Sequence, residues 1–200
     1  MTRSASTPRL RATQLVYLLL LLSAAFVGPR GLSPGLDLGL RVTGLVLVAG
    51  ACLGRIWCSA FIAGQKDAAL VQTGPYSIVR HPLYILSFVA VCGLALASRS
   101  WLLGLLAVVT VTTLLLIAAR VEERFLATKF ARDWPAYRAG TSAWWPRIGA
   151  YRLPERLSVQ PGIYWKAFLD AGAMLVLLAL VDTAATLRIA AITPQWLPTP

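Results

Sequence analysis

Apolar residues along this chain come in long runs, and polar residues collect between them. The first run covers 12–27, preceded by Arg3, Arg9 and Arg11 and closed by Gly28, Pro29 and Arg30. A second, 38–63, carries Arg55 near its end and can cross a hydrocarbon core of about 30 Å at about 1.5 Å per residue. Runs three and four, 82–97 and 101–119, are separated only by Ser98, Arg99 and Ser100, a break that predicts a tight antiparallel hairpin. The most polar stretch follows at 120–166. A fifth run, about 167–187, has Asp170 and Asp182 near its two ends. There is no internal repeat and no β-alternation. The pattern predicts an all-α, polytopic transmembrane helix bundle of about five spans, with a cytoplasmic interfacial helical segment after the fourth. Residues 1–200 read as a single membrane domain. Gly50 and Gly54, four apart in the second run, are expected to admit a neighbouring helix closely. The first run also resembles a signal peptide, with small residues at Ser23, Ala24 and Ala25, but its removal leaves several spans behind.

Composition agrees with this pattern. Hydrophobic residues make up 58% of the 200 and charged residues only 14%. A domain of that size has too little interior to hide so much apolar surface from water. The net charge of +11 would point to nucleic acid in a soluble protein, but here the charge sits between apolar runs. It therefore reads as contact with anionic headgroups and as an orientation signal, with no nucleic-acid partner. Placing the N-terminus, 55–80 and 120–166 in the cytoplasm puts fifteen of the nineteen basic residues inside. Arg30, Arg41, Arg99 and Arg188 are left toward the other side. The expected location is the inner membrane of a bacterium. Cys52, Cys58 and Cys92 have neither CxxC nor Cys/His spacing, which argues against disulfides and zinc, and no metal is expected.

The hairpin has a chemical consequence. It brings the start of the third helix and the end of the fourth to one membrane face, so the only histidine, His81, faces the adjacent pair Glu122 and Glu123. Pro82 biases His81 away from helical angles and is itself suited to a first helical position. Arg80, His81 and Tyr84 then cluster at a helix N-terminus able to hold a carboxylate or phosphate. A Pro-started membrane helix with a snorkelling Arg and an interfacial Tyr accounts for the same spacing without any function. If helix continues past Arg120, Glu123 shares a stripe with Leu126 and Phe130 and needs a partner, which Arg80, Arg120 or a ligand could supply. Glu122, about 100° round the helix, is expected to be solvated or paired with an Arg. Asp133, Trp134 and Pro135 are expected to end that helix and begin a short one bearing Tyr137 and Arg138. Trp144 and Trp145 could simply anchor an interfacial segment. One His without Cys partners does not build a zinc site, no G-x-S-x-G or Walker loop is present, and His81 lacks the apolar cage of a haem ligand.

Leu70 through Tyr76 (Leu-Val-Gln-Thr-Gly-Pro-Tyr), Arg80-His81-Pro82-Leu83-Tyr84, and Glu122-Glu123-Arg124-Phe125-Leu126 some forty residues on resemble the isoprenylcysteine carboxyl methyltransferase family. Phe130, Tyr137 and Pro146 continue the pattern. That family is similar to the phospholipid N-methyltransferases, and both are integral membrane enzymes using S-adenosylmethionine. The resemblance covers 70–147, a methyltransferase-like core, and leaves 148–200 as an extension with an extra span. It implies a cofactor pocket at the cytoplasmic end of the hairpin. Arg80, His81 and Tyr84 would line it from one side, Glu122 and Glu123 would reach ribose hydroxyls or the amino group from the other, and Tyr137 and Arg138 would help form a lid. His81 and Glu123 are the catalytic candidates. A hydrophobic or lipid-like acceptor, methylated on a carboxylate or an amine, would enter from the bilayer. Departures from the family pattern are Leu86 and Ala131 in place of Gly, Trp134 at a Tyr position, and a missing Arg near Ala143. They bear on the acceptor and the lid more than on the cofactor. A membrane reductase of related architecture, or a scaffold or transporter in which Arg80, His81 and Glu123 form an ion network, are the alternative readings.

Overall fold

A computed structural model describes residues 18, 26–28, 32–65 and 68–192. Nearly all of the expected first span, 12–27, lies outside them. The described residues form helices α1 (Pro34–Ile62), α2 (Pro75–Ile78), α3 (Pro82–Ala97), α4 (Trp101–Lys129), α5 (Trp134–Gly140) and α6 (Pro161–Ile189). A single 3₁₀ turn covers Ile148–Ala150. No strand occurs among the described residues; an isolated antiparallel bridge joins Gly74 and Arg152.

The helix ends follow from local chemistry. Pro34, Pro82 and Pro161 each open a helix, where the missing N–H costs nothing. Ser33 caps α1 by accepting from Asp37 N at its carbonyl and from Leu36 N at its Oγ. The carbonyl of His81 accepts from Tyr84 N and Ile85 N, so α3 begins at the predicted residue. α4 continues ten residues past its apolar run, as Glu123 required. Trp134–Gly140 is the expected short helix after the Asp133 break.

α1, α4 and α6 are each 29 residues long and apolar enough to span a membrane, whereas α3 has 16. At about 1.5 Å per residue the long helices exceed a core of about 30 Å, and α3 falls short of it. Leu45, Val46, Leu53, Leu105, Leu106 and Val109 are exposed along their length, the surface that hydrocarbon covers. The protein is a membrane helix bundle.

The chain divides into two compact units, one of 1–51, 88–116 and 173–200, the other of 52–87 and 117–172. In the first, α1 and α3 meet backbone to backbone at Gly44 and Gly93. A Cβ on Gly44 would lie 2.7 Å from the Gly93 carbonyl oxygen, and one on Gly93 would lie 2.8 Å from that of Gly44. The close approach thus falls at Gly44 and Gly93, and the expectation for Gly50 is corrected, since that residue has nothing within 4 Å. The same unit holds an ionic cluster around two buried arginines, Arg99 and Arg188. Arg99, in the left-handed region (φ 50) of the α3–α4 turn, donates from Nη1 to Asp37 at 2.9 Å and from Nη2 to Asp182 at 2.8 Å. Arg41 joins Asp182 at 3.0 Å, and Arg188 donates to the carbonyls of Val27, Ser98 and Arg99. Asp182, which weakens the last apolar run, is there to hold Arg99.

In the second unit Gly54 does receive a neighbour. The Leu86 side chain would sit 2.7 Å from a Cβ at Gly54, so the Leu that replaces a Gly of the family pattern is accommodated by a Gly across from it. Arg55 donates to Ser87 Oγ at 2.8 Å in the same helix pair.

Candidate active site

The site grows from a short, heavily tied segment. Gly74 adopts φ 60 with the Phe61 ring where a side chain would stand, so only glycine fits. From there Pro75–Ile78 makes one helical turn, Val79 runs out extended, and the chain bends at Arg80 before α3 starts. Residues 142–152 zip onto this segment. Arg80 N donates to Ser142 O at 2.8 Å, Arg147 N to Ile78 O at 3.0 Å, Gly74 N to Arg152 O at 2.7 Å, and Arg152 N to Ser77 Oγ at 3.0 Å.

Against that frame the two predicted segments meet. His81 Nε2 lies 3.1 Å from Glu123 Oε1, and Arg80 Nη2 lies 3.2 Å from the same oxygen. An ionised carboxylate only accepts, so the imidazole carries its proton on Nε2 in this contact. Tyr84 donates to Glu122 Oε2 at 2.6 Å, a phenol where an Arg or solvent was expected. Glu122 and Glu123 thus each keep a second oxygen that accepts no hydrogen bond among the described residues. Arg80 also donates from Nη1 to the Arg138 carbonyl at 3.2 Å and stands 5.8 Å from the centroid of the Trp134 ring, while its Nε is buried without a hydrogen-bond partner among the described residues. Arg138 contributes its carbonyl, and its side chain is exposed.

Aromatic rings enclose the polar centre. The His81 ring stacks on Tyr84 at 5.4 Å, and the Trp144 ring lies tilted against it at 5.2 Å. Tyr137 and Trp134 are buried and meet edge to face at 5.9 Å. The Tyr137 hydroxyl donates to the Tyr76 carbonyl at 2.8 Å, which pins α5 to α2. The Tyr76 hydroxyl is buried and has no hydrogen-bond partner among the described residues. Burial pushes the Tyr76 phenol well above its usual range, with Cys58, Glu122, Tyr137 and Tyr84 adding to the rise. Burial also raises Tyr137, against the pull of Arg80 and with help from Glu122 and Glu123. Both phenols therefore stay protonated.

The structure brings Arg80, His81, Tyr84, Glu122 and Glu123 together, with Tyr137 in the supporting layer. Sequence reasoning gave no site role to Tyr76, Trp134 or Trp144. Trp144 was legible only as an anchor, because its contact with His81 depends on the Arg80–Ser142 backbone bond. Tyr76 sits inside the motif, but the burial of its hydroxyl has no sequence signal.

Residues 43–133 match the family model described as Phospholipid methyltransferase. The chain is similar to the nickel-cobalt-cadmium resistance protein NccN of Alcaligenes xylosoxydans xylosoxydans, with 31% identity over 160 residues, covering 80% of this chain and 73% of that one. It is also similar to the cobalt-zinc-cadmium resistance protein CzcN of Cupriavidus metallidurans, with 34% identity over 146 residues, covering 72% of this chain and 66% of that one. No solved structure matches. The family match takes in most of α1, all of α2, α3 and α4, and both halves of the His81–Glu123 pair, and together with a relative 31% identical and covered over 73% of its length it shows that the chain belongs to the phospholipid methyltransferase family of membrane proteins.

Proposed function

We propose that this protein is an S-adenosylmethionine-dependent methyltransferase acting on a hydrophobic or lipid-like acceptor, with its site at the cytoplasmic interface of a bacterial inner membrane. The observation that carries the reading is the shared contact of Arg80 and His81 with Glu123, which makes one polar centre from segments 42 residues apart.

The residues fit the cofactor by donor set. Arg80, with an unpartnered buried Nε, suits an α-carboxylate. The spare oxygens of Glu122 and Glu123 suit an ammonium or ribose hydroxyls, and the rings of Tyr84, His81 and Trp144 offer faces to a base or a sulfonium. Bound there, S-adenosylmethionine supplies a methyl group already activated for transfer. The protein's own tasks are to align the acceptor and to keep water out. The stacked rings and the 142–152 strap supply the exclusion. An acceptor carboxylate needs no base. For an amine or phenol, the spare carboxylate oxygen of Glu123 lies ready to receive the proton.

Protein in nanodiscs is expected to bind S-adenosylhomocysteine with micromolar affinity, and Glu123→Gln or His81→Ala should abolish it. Undiminished binding in both variants would remove the site, and absent binding in the parent protein would favour the scaffold reading. A labelled-methyl transfer assay on membrane extract then identifies the acceptor. The relatives' names add a phenotype to score: growth on cobalt or cadmium of a strain lacking the protein, complemented with the parent or with Glu123→Gln, shows whether metal tolerance runs through this site.

A further inference from the structure

Residues 145–157 combine two features that conflict in most environments. Trp145 is 82% exposed, Ile148 80% and Leu153 72%, with Tyr151 and Leu157 exposed beside them. Interleaved with these are the exposed Arg147, Arg152 and Arg156, against the single acidic residue Glu155. Exposed apolar side chains on α1, α4 and α6 are covered by hydrocarbon, but this segment cannot share that cover. Its backbone is irregular apart from the Ile148–Ala150 turn, and hydrocarbon does not tolerate unpaired backbone amides. Water is no better a solvent for a cluster of five large apolar side chains. The headgroup layer accommodates both, since it hydrates the backbone and takes Trp, Ile and Leu to a shallow depth. The three guanidiniums decide the lipid, because their field attracts phosphate-bearing anionic headgroups over neutral ones.

We propose that 145–157 is a docking surface for an anionic phospholipid leaflet, with Trp145, Ile148 and Leu153 inserted shallowly and Arg147, Arg152 and Arg156 on the headgroup phosphates. The proposal stands whatever chemistry the neighbouring site performs. The surface is preorganised, since its backbone is tied to 74–78 through Arg147 N, Arg152 N and Arg152 O, and the Tyr151 ring lies 6.0 Å from Trp57 on α1. Docking therefore orders little that is not ordered already.

The test places a nitroxide on Leu153→Cys in the full chain, with an unsubstituted control to subtract label on the native cysteines. The protein is reconstituted in nanodiscs of phosphatidylcholine alone or with about one third phosphatidylglycerol. In the anionic discs the label should collide with oxygen far more than with an aqueous nickel chelate, and in neutral discs or with Arg147→Glu/Arg152→Glu/Arg156→Glu the preference should reverse. Equal water exposure in both compositions overturns the proposal, and so does equal lipid burial in both. A label shielded from both collision agents in every composition marks a protein partner or a second copy, and overturns it too. Should the triple variant fail to fold, the lipid comparison on the otherwise unaltered chain decides alone.

Discussion

His81 Nε2 and Glu123 Oε1 stand 3.1 Å apart although 42 residues separate them, and Arg80 Nη2 reaches the same oxygen at 3.2 Å. One carboxylate oxygen thus holds two cationic or polar donors in a partly buried setting, each unable to find water easily. Loss of Glu123 would leave both donors without this acceptor.

Removing it should be costly for that reason. Glu123→Ala leaves Arg80 Nη2 and His81 Nε2 without their acceptor, and the expected destabilisation is about 1–3 kcal/mol. Glu123→Gln keeps the shape and an acceptor oxygen and should cost less. Thermal melts in detergent rank the two, and equal melts would show that the donors have found other partners.

Tyr84→Phe separates packing from polarity at the same place. The ring stack on His81 survives and the 2.6 Å bond to Glu122 does not. A loss of about 1 kcal/mol or less in stability is expected, with weaker S-adenosylhomocysteine binding as Glu122 turns away. Calorimetry on the folded variant reads both.

The buried phenols give an alkaline limit. Tyr76 and Tyr137 both titrate higher in the folded protein than the value near 10 of an unfolded chain. With the folded value raised, their contribution is complete below about pH 10 and drains away as pH rises from there toward the folded values. Melting temperature should fall with pH above about 10, and Tyr137→Phe should lower the plateau yet flatten the fall. A parent protein whose melting stays flat through that range would show the phenols to be hydrated.

Helix contact at Gly44 and Gly93 is testable against a neighbour. Gly44→Ala drives a methyl against backbone that cannot yield, and a loss of about 1–3 kcal/mol is expected. Gly50→Ala, with open space around it, should be neutral or stabilising by about 0.5–1 kcal/mol. Similar melts for both would move the helix crossing elsewhere.

The ionic cluster of the first unit makes the sharpest stability claim. The Arg99 side chain is 1% exposed and faces both Asp37 and Asp182. Arg99→Met leaves Asp37 and Asp182 with only the half-exposed Arg41 as a cation and should cost about 1–3 kcal/mol, while Asp37→Asn with Asp182→Asn added should recover part of it. Additive losses in that cycle would deny the coupling.

Much of this was legible beforehand because it is local. Runs of apolar residues set the helices, prolines set where three of them start, and the three-residue break at Ser98–Ser100 forces α3 and α4 back on each other, which is why the His81–Glu123 meeting follows from order along the chain alone. Side-chain pairing over long separations obeys no such rule. That Glu122 takes the Tyr84 hydroxyl, that Leu86 seats on Gly54, that Asp182 answers Arg99, and that Trp144 covers His81 all depend on helix rotation and on the backbone bonds of 142–152. Those are settled by how the whole set of surfaces packs, a choice that hydropathy and spacing leave degenerate and only the assembled tertiary structure resolves.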